Sequence, residues 1–495
     1  MNVLHSTTPK SERRTDLNLT QQWNSIDWKI VRATVNRLQT RIAKAVFEGK
    51  YGLAKRIQYL LTHSYSAKLL TVRIVTQNRG KRTPGIDGEL WTSSKDKMLA
   101  ALSLSDKQYQ AQPLKRIYIP KPGKDTKRPL SIPTMYDRAM QALYGLALQP
   151  VAETLADSRS FGFRLFRSAQ DASQYLFVCL RHKAGAEWIL EGDIKGCFDN
   201  ISHQWLKDNV LIDSSILNQF LKSGYLYEQT LFPTDQGTPQ GGIISPILAN
   251  LALDGMENII MQRYLKMKVH FVRYADDFVI TAPTMEIAEE LKVLISSFLS
   301  ERGLVLSESK TKITHINDGF DFLGYNIRKY KGVLLMKPSK ESVKKITRKI
   351  GLVLLRAAAW NQEQVIQILN PIIKGWTNYH RHIASKDTFN RMDYIVWNQL
   401  WKWAKRRHSD KGYKWIAQRY WSKVGNRNWI FCTDNQRLRM FSETPIRRHF
   451  MIKLEMNPYL DHEYFIGRVD GMKRRTPDVQ VKLTYFPICR PKFGL

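Results

Sequence analysis

Cysteine is scarce in this chain: Cys179, Cys197, Cys432 and Cys489 are the four in 495 residues, and no two form a CxxC pair. That argues against a disulfide framework and against a cysteine-built zinc site, and it fits a reducing cytoplasm. Long uncharged apolar runs are also missing, so the sequence offers no membrane-spanning helix. The opening MNVLHSTTPKSERRTD has no apolar segment of the secretory kind and reads, over residues 1–21, as a flexible tail. The shortage with the largest consequence is acidic. Asp and Glu number 44 against 77 Lys and Arg, a net charge of +33. Solubility needs far less, and an excess of this size repels itself unless a polyanion offsets it. Nucleic acid is the favoured partner. An anionic membrane is a distant second, since no amphipathic anchor stands out, and no membrane partner is expected.

What is present is 43% hydrophobic residues, enough for a sizeable core. Over residues 22–70, Ile30, Val31, Val35, Leu38, Ile42 and Val46 recur at helical spacing. Arg32, Arg37, Arg41 and Lys44 fill the other faces, which suits a solvated basic surface and equally a platform for RNA. A Gly/Pro-punctuated loop over 76–88 then carries Arg79, Lys81 and Arg82. From about 113 to 335, strand-like and helix-like segments alternate. KRIYIPKPG and KRPLSIPT resemble a hairpin with Pro122-Gly123 at its turn, and residues 137–156 are strongly helical. This interleaving predicts an α+β fold with an antiparallel sheet. Residues 339–425 are nearly all helical in pattern and rich in Trp, Lys and Arg; the remainder is mixed, with strand-like runs such as VQVKLTYFPI.

Two stretches carry chemistry. FVRYADDFVITA sets Asp276 and Asp277 between apolar β-formers, so a hairpin turn would hold both carboxylates near the core. At 4 Å and an effective dielectric of 20 such a pair repels by about 4 kcal/mol, and a hard divalent cation reverses the sign. A bare Asp-Asp pair is more often an exposed turn, but ILEGDIKGCFDN supplies a second apolar strand ending at Asp193, with Phe198 and Asp199 beyond it. Carboxylates from two strands brought side by side would make a two-metal clamp of the kind polymerases use.

YADD at 274–277, DIKGCFDNI at 193–201 and GTPQGGIISPILANLALDGME at 237–257 resemble, in order and spacing, the central motifs of reverse transcriptases. RIYIPKPGKDTKRPLSIPTMYDRAMQ, SRSFGFRLFRSAQDA and TPGIDG resemble motifs of the group II intron branch, and LSESKTK and FDFLGYNIRKY its last palm motifs. The resemblance runs from about residue 22 to beyond 450. It implies a right-hand polymerase, with fingers and an antiparallel palm, followed by an α-helical thumb or maturase domain and a small DNA-binding region. It makes Asp193, Asp276 and Asp277 catalytic and the ligands of two Mg²⁺ ions, helped by the carbonyl of Ile194. Lys121 and Arg128 would grip the incoming dNTP, an Arg fork suiting phosphate. Phe198 would exclude a 2′-hydroxyl, Gln240 would contact the sugar or template pair, and Lys310 would neutralise pyrophosphate. Leu165-Phe166 stands where many relatives have Pro-Gly.

LNPIIKGWTNYHRHIASKDTFNRMDYIVWNQLWKWAKRRH at 369–408 resembles the thumb, or maturase domain, of the same proteins. There Lys374, Arg381, Lys402, Lys405, Arg406 and Arg407 would touch RNA, while most of the interleaved tryptophans would pack. His380 and His382 would be RNA-contacting or surface residues. The expected division is a tail (1–21), a reverse transcriptase domain (22–338), a thumb/maturase domain (339–425) and a DNA-binding region (426–495). Many relatives continue into an HNH endonuclease with cysteine pairs, and no such motif occurs here. The expected partners are an intron RNA held as a ribonucleoprotein, target DNA and dNTPs, in a bacterial-type cytoplasm.

Overall fold

The computed structural model describes residues 10–120, 127–182, 185–265 and 267–475. The basic N-terminal stretch forms helices Trp28–Phe47, Tyr51–His63 and Tyr65–Gln77, preceded by a helix Lys10–Asn24. The expected tail is therefore corrected: from Lys10 on it is helical. Leu19 and Trp23, one turn apart, pack on the main core, and Asp16 pairs with Lys95 at 2.6 Å. Asp27 caps the second helix by accepting from the amides of Lys29 and Ile30. Val31, Val35, Ile42 and Val46 are buried as their spacing requires, whereas Ile30 falls off the stripe and is exposed.

These helices lean on Met135–Leu155, which is buried along nearly its whole length. Pro150 inside it has no N–H to offer the carbonyl of Leu146, four residues back. The buried Gln39 supplies the missing donor from a neighbouring helix, its Nε2 lying 2.8 Å from that carbonyl. Gln58 likewise donates to Leu211 at 2.9 Å and to Ala147 at 3.2 Å. Arg138 holds the loop over 76–88, donating to the carbonyls of Gly80 and Thr83.

Strands β1 (Leu114–Pro120) and β2 (Lys127–Ile132) pair antiparallel as the hairpin expected from sequence, with its turn outside the described residues. Strand β3 (Trp188–Asp193) ends on the acid of the DIKG motif. Strands β4 (Tyr225–Tyr227) and β5 (Thr230–Phe232) extend the first sheet in the order β2-β1-β4-β5, with β4 parallel to β1. The central sheet, β6-β7-β3-β8, is antiparallel throughout and adds β6 (His270–Tyr274), β7 (Asp277–Ala282) and β8 (Lys312–His315). Its face carrying Leu190, Phe271, Phe278 and Ile280 joins the main core, under helix Met285–Ser300. Its other face, with Ile189, Val272 and Val279, joins a second core. Strands β9 (Phe320–Phe322), β10 (Tyr325–Tyr330) and β11 (Val333–Pro338) form a third sheet in that second core.

Helices Lys340–Arg356, Gln362–His380, Lys386–Arg407 and Tyr413–Tyr420 follow, bundled around a third core. Strands β12 (Trp421–Val424) and β13 (Arg427–Phe431) then pair as a hairpin. The expected boundary between 425 and 426 falls inside that hairpin's turn. Phe431, Leu438 and Phe441 belong to the helical bundle's core, while Ile452, Leu454 and Phe465 belong to the core behind the central sheet. Residues 426–475 therefore fold as parts of two other units, and VQVKLTYFPI lies outside the described residues.

The return is fastened by the buried Asp171, which lies 2.6 Å from an Arg468 Nη and 2.9 Å from His449 Nε2 and accepts from the Ile452 amide at 3.0 Å. Phe166 adopts a left-handed φ of 57°, and its carbonyl accepts from Arg468 at 2.9 Å. Its ring meets that of Phe465 at 4.9 Å, so the departure from Pro-Gly at 165–166 serves the docking of helix His462–Arg475. Burial opposes ionisation of Asp171, but the His449 contact and the Arg468 charge outweigh it and hold its pKa below the usual value. A depressed pKa gives stability that is present above about pH 4 and lost as pH falls through the depressed value. Hydrogen exchange over residues 446–475 should be unchanged between pH 8 and 5 after correction for intrinsic rates, and should accelerate only at lower pH. Acceleration already at pH 6 would remove Asp171 as the fastener.

Candidate active site

The central sheet sets the geometry. Its register pairs Asp193 with Asp277 across β3 and β7, and Tyr274 with Asp277 across β6 and β7. Ala275, at φ 60°, turns the chain between β6 and β7 and leaves Asp276 at the tip. Two glycines allow the close approach. A Cβ at Gly192 would lie 2.0 Å from Phe278, its partner across the sheet, and one at Gly162 would lie 2.2 Å from the Ala275 nitrogen. The loop over 158–166 thus presses directly on the YADD turn.

Burial raises the pKa of Asp276, the charge of Asp193 adds to it, and Lys310 and Arg128 pull it back. Burial pushes Asp277 up to about 7, with Asp276 and Asp193 contributing further. By area Asp277 is nonetheless exposed, so its carboxylate lies in a recess crowded by protein and open on one side. Lys310 Nζ lies 2.6 Å from Asp193 Oδ2, placing a cation against the acidic cluster. Among the described residues no three His, Cys, Asp or Glu side chains converge closely enough to hold a metal as they stand. Mg²⁺ makes no such demand, because it takes one or two carboxylates and completes its shell with water and substrate phosphate. A set of hard oxygen donors whose like charges raise one another's pKa fits such a cation. Ile194 is buried between two backbone bonds, Lys195 N to Val305 O at 2.9 Å and Ser307 N to Asp193 O at 2.8 Å.

A second loop closes beside the first. The amide of Thr238 donates to the Phe198 carbonyl at 2.6 Å, that of Gly237 to Ile201 at 2.7 Å, and that of Ser131 to Gln240 at 2.7 Å. Gly237 needs its freedom: its φ is 82°, and a Cβ there would lie 2.5 Å from the Asp199 backbone. Gln240 Nε2 donates to Asp199 Oδ2 at 2.9 Å, so Gln240 is tied to the second acid of the motif. Phe198 is half-buried and meets Phe163 edge-on at 6.1 Å. Arg128 is exposed at the start of β2, while Lys121 lies outside the described residues.

Sequence reasoning missed the group beneath the turn. Arg273, fully buried in β6, pairs with Asp254 and donates to Asn250 Oδ1 at 3.1 Å and to the Ala275 carbonyl at 3.4 Å. The signal was available: one arginine stands alone in an otherwise apolar strand, FVRY.

The candidate RNA residues divide. Arg32, Arg37 and Arg41 are exposed on helix Trp28–Phe47, as are Lys81 and Arg82 after it; the Arg79 side chain lies outside the described residues. Lys402, Lys405 and Arg406 are exposed on helix Lys386–Arg407, and Lys374 is half-buried. Arg407 is committed inward, donating to the Ala358 carbonyl at 2.5 Å and lying over Trp403. Arg381 is corrected: it is buried, with Asn378 at 3.2 Å. His380 and His382 are corrected too. They pack beside Tyr325 with their pKa values pushed to about 3, chiefly by burial, and contact Ser342 and Ser173 at 3.0 Å. An arginine or histidine on the inner side of a helix reads in sequence like one on the outer side.

Three family models match the chain: the N-terminal domain of reverse transcriptase over residues 23–104, reverse transcriptase (RNA-dependent DNA polymerase) over 119–327, and the group II intron maturase-specific domain over 343–421. The group II intron-encoded protein LtrA of Lactococcus lactis subsp. cremoris is 30% identical over 390 residues, covering 63% of each chain. Protein YkfC of Escherichia coli K12 is 31% identical over 321 residues, covering 55% of this chain and 83% of that protein. The match to LtrA thus spans under two thirds of LtrA's own length. Among solved structures, apo telomerase from Candida tropicalis aligns with a TM-score of 0.38 and 13% identity over 63% of this chain and 59% of that one. The chain belongs to the reverse transcriptase and maturase family encoded by group II introns.

Proposed function

We propose that the protein binds its parent intron RNA, assists its splicing, and copies it into DNA by Mg²⁺-dependent, RNA-templated synthesis. The carrying observation is the register that sets Asp193 opposite Asp277, with Asp276 at the adjoining tip. In this reading residues 22–338, with the first and central sheets and their helices, are fingers and palm, and the helical bundle from residue 339 is the thumb. Asp193, Asp276 and Asp277, with the carbonyl of Ile194, would hold two Mg²⁺ ions, which when bound activate the primer 3′-oxygen and stabilise the departing pyrophosphate. Arg128 and Lys121 bind the triphosphate from the β1–β2 hairpin. Lys310 balances the acidic cluster before substrate arrives and the phosphate charge afterwards. Gln240, braced by Asp199, orients the nucleotide, and Phe198 would exclude a 2′-hydroxyl. Target DNA is the partner on which insertion would act.

Primer extension on an RNA template tests the reading, and absence of any dNTP incorporation with Mg²⁺ would overturn it. Phe198→Ala should narrow the preference for dNTP over rNTP by about tenfold or more, the scale of a lost steric fit; equal discrimination would remove the gate. Lys402→Glu with Arg406→Glu should weaken RNA binding at every sequence tested. The slope of log affinity against log salt should fall by about one per lost contact. An unchanged slope would clear that helix face of RNA.

A further inference from the structure

Phe163 stands in a conformation its residue type rarely takes. Its φ is 59°, in the left-handed region, where a bulky side chain is an outlier. Such strain persists only where the surroundings over-determine it, and it gathers at functional sites. Here the chain is pinned on both sides. Before Phe163, the Phe161 amide donates to the Arg273 carbonyl at 2.8 Å, and Gly162 lies against the Ala275 nitrogen while its carbonyl accepts from Asn250 Nδ2 at 2.9 Å. After it, the buried Arg164 donates to Glu153 Oε2 at 2.9 and 3.0 Å, and the Leu165 amide donates to Glu153 Oε1 at 2.9 Å.

Burial is not what the strain achieves. The ring is half-buried, and unlike its neighbours Phe161 and Phe166 it joins none of the three cores. Among the described residues the aromatic ring it meets is that of Phe198, with centroids 6.1 Å apart and planes at 78°. Edge-to-face contact at this distance is a favourable geometry for two aromatic rings. Phe198 packs on the main core, and its carbonyl is held by the Thr238 amide at 2.6 Å. Phe163 adds a second contact to that ring, from the loop that presses on the YADD turn.

We propose that Phe163 is a positioning residue for sugar selection: its ring holds that of Phe198 in the orientation that excludes a 2′-hydroxyl. The preference for dNTP over rNTP then belongs to the pair and not to Phe198 alone. Strain at Phe163 is the cost of presenting an aromatic edge where the loop passes the YADD turn. The inference rests on the reading of Phe198 as the sugar gate.

The test is primer extension by the full chain on an RNA template with Mg²⁺, comparing kcat/KM for dGTP and GTP. Phe163→Ala should lower the preference for dGTP by about twofold to tenfold, the range an aromatic pair contributes. The change should come from a rise in kcat/KM for GTP, whereas damage to folding would lower both values. Phe163→Tyr should stay within about twofold of the wild type, since it keeps the ring pair. Phe163→Gly removes the ring and suits a φ of 59°, so it should lose the preference even where Phe163→Ala melts early. Adding Phe163→Ala to Phe198→Ala should cost no further preference, because the brace then has nothing to hold. Full preference in Phe163→Gly, or an additive loss in the double variant, would overturn the brace. If Phe198→Ala discriminates as the wild type does, the gate falls and the brace with it. If Phe198→Ala loosens the preference and neither Phe163→Ala nor Phe163→Gly does, the brace alone falls.

Discussion

Asp276→Ala should lower dNTP incorporation on an RNA template by a factor on the order of 10³ or more, the scale of losing a principal electrostatic stabiliser. Affinity for the intron RNA should stay within about twofold, because Asp276 sits at the tip of the β6–β7 turn, remote in sequence from the exposed cations assigned to RNA. Stability supplies the discriminating readout. Burial and the charge of Asp193 both raise the Asp276 pKa, so its ionised form is held against resistance. Deleting that carboxylate relieves repulsion, and the variant's melting temperature should be unchanged or higher. A structural aspartate would behave in the opposite way, its loss lowering both melting temperature and activity. Retained synthesis would sink the metal assignment, and a lower melting temperature would point to misfolding as the cause of inactivity. Asp277, whose pKa is likewise raised by burial and by its acidic neighbours, should follow the same pattern. Asp193→Ala should also lose synthesis, and it frees Lys310, which lies 2.6 Å from its carboxylate.

The parts of this site visible in the sequence were those whose pattern is local. Apolar runs that end in an acid gave both strands, and the pairing of Asp193 with Asp277 follows once those strands neighbour one another. Which backbone the glycines of GTPQGG approach was not legible; Gly237 abuts Asp199. Side-chain direction on a helix was harder. Arg381 and His380 sit within a basic, aromatic stretch in sequence, yet the turn of the helix carries them inward, beside Asn378 and Tyr325. The fate of residues 426–475 was not legible at all. Ile452, Leu454 and Phe465 are too sparse to announce a core, because they complete one that Val272 and Val279 began some 180 residues earlier. A contact of that separation leaves no periodic trace in either segment.

Arg273→Ala should cost about 3–5 kcal/mol, the range for removing one partner of a buried ion pair, and should abolish synthesis although Arg273 touches no substrate. Its guanidinium is fully buried and holds Asp254, Asn250 and the carbonyl of Ala275, the residue whose left-handed turn aims Asp276. The pH dependence identifies the mechanism. Burial raises Asp254, Arg273 lowers it, Asp157 raises it and Arg164 lowers it, leaving it at about 7. A raised pKa means that the folded state binds the proton more readily than the unfolded chain, so this group's contribution to stability declines as pH rises from about 4 through 7. Without Arg273 the folded-state pKa rises further, and the decline continues to higher pH. The difference in stability between wild type and variant should therefore be smallest near pH 6 and widen above pH 7, by up to about 1.4 kcal/mol per pH unit. Chemical denaturation at pH 6, 7 and 8.5 measures it. A pH-independent difference would mean that Arg273 acts by packing alone. Arg273→Lys separates the remaining roles: it keeps a cation for Asp254 but cannot fork to Asn250 and Ala275 together. It should recover most of the stability and flatten the pH dependence, yet leave synthesis impaired, because the turn that carries Asp276 has lost its brace.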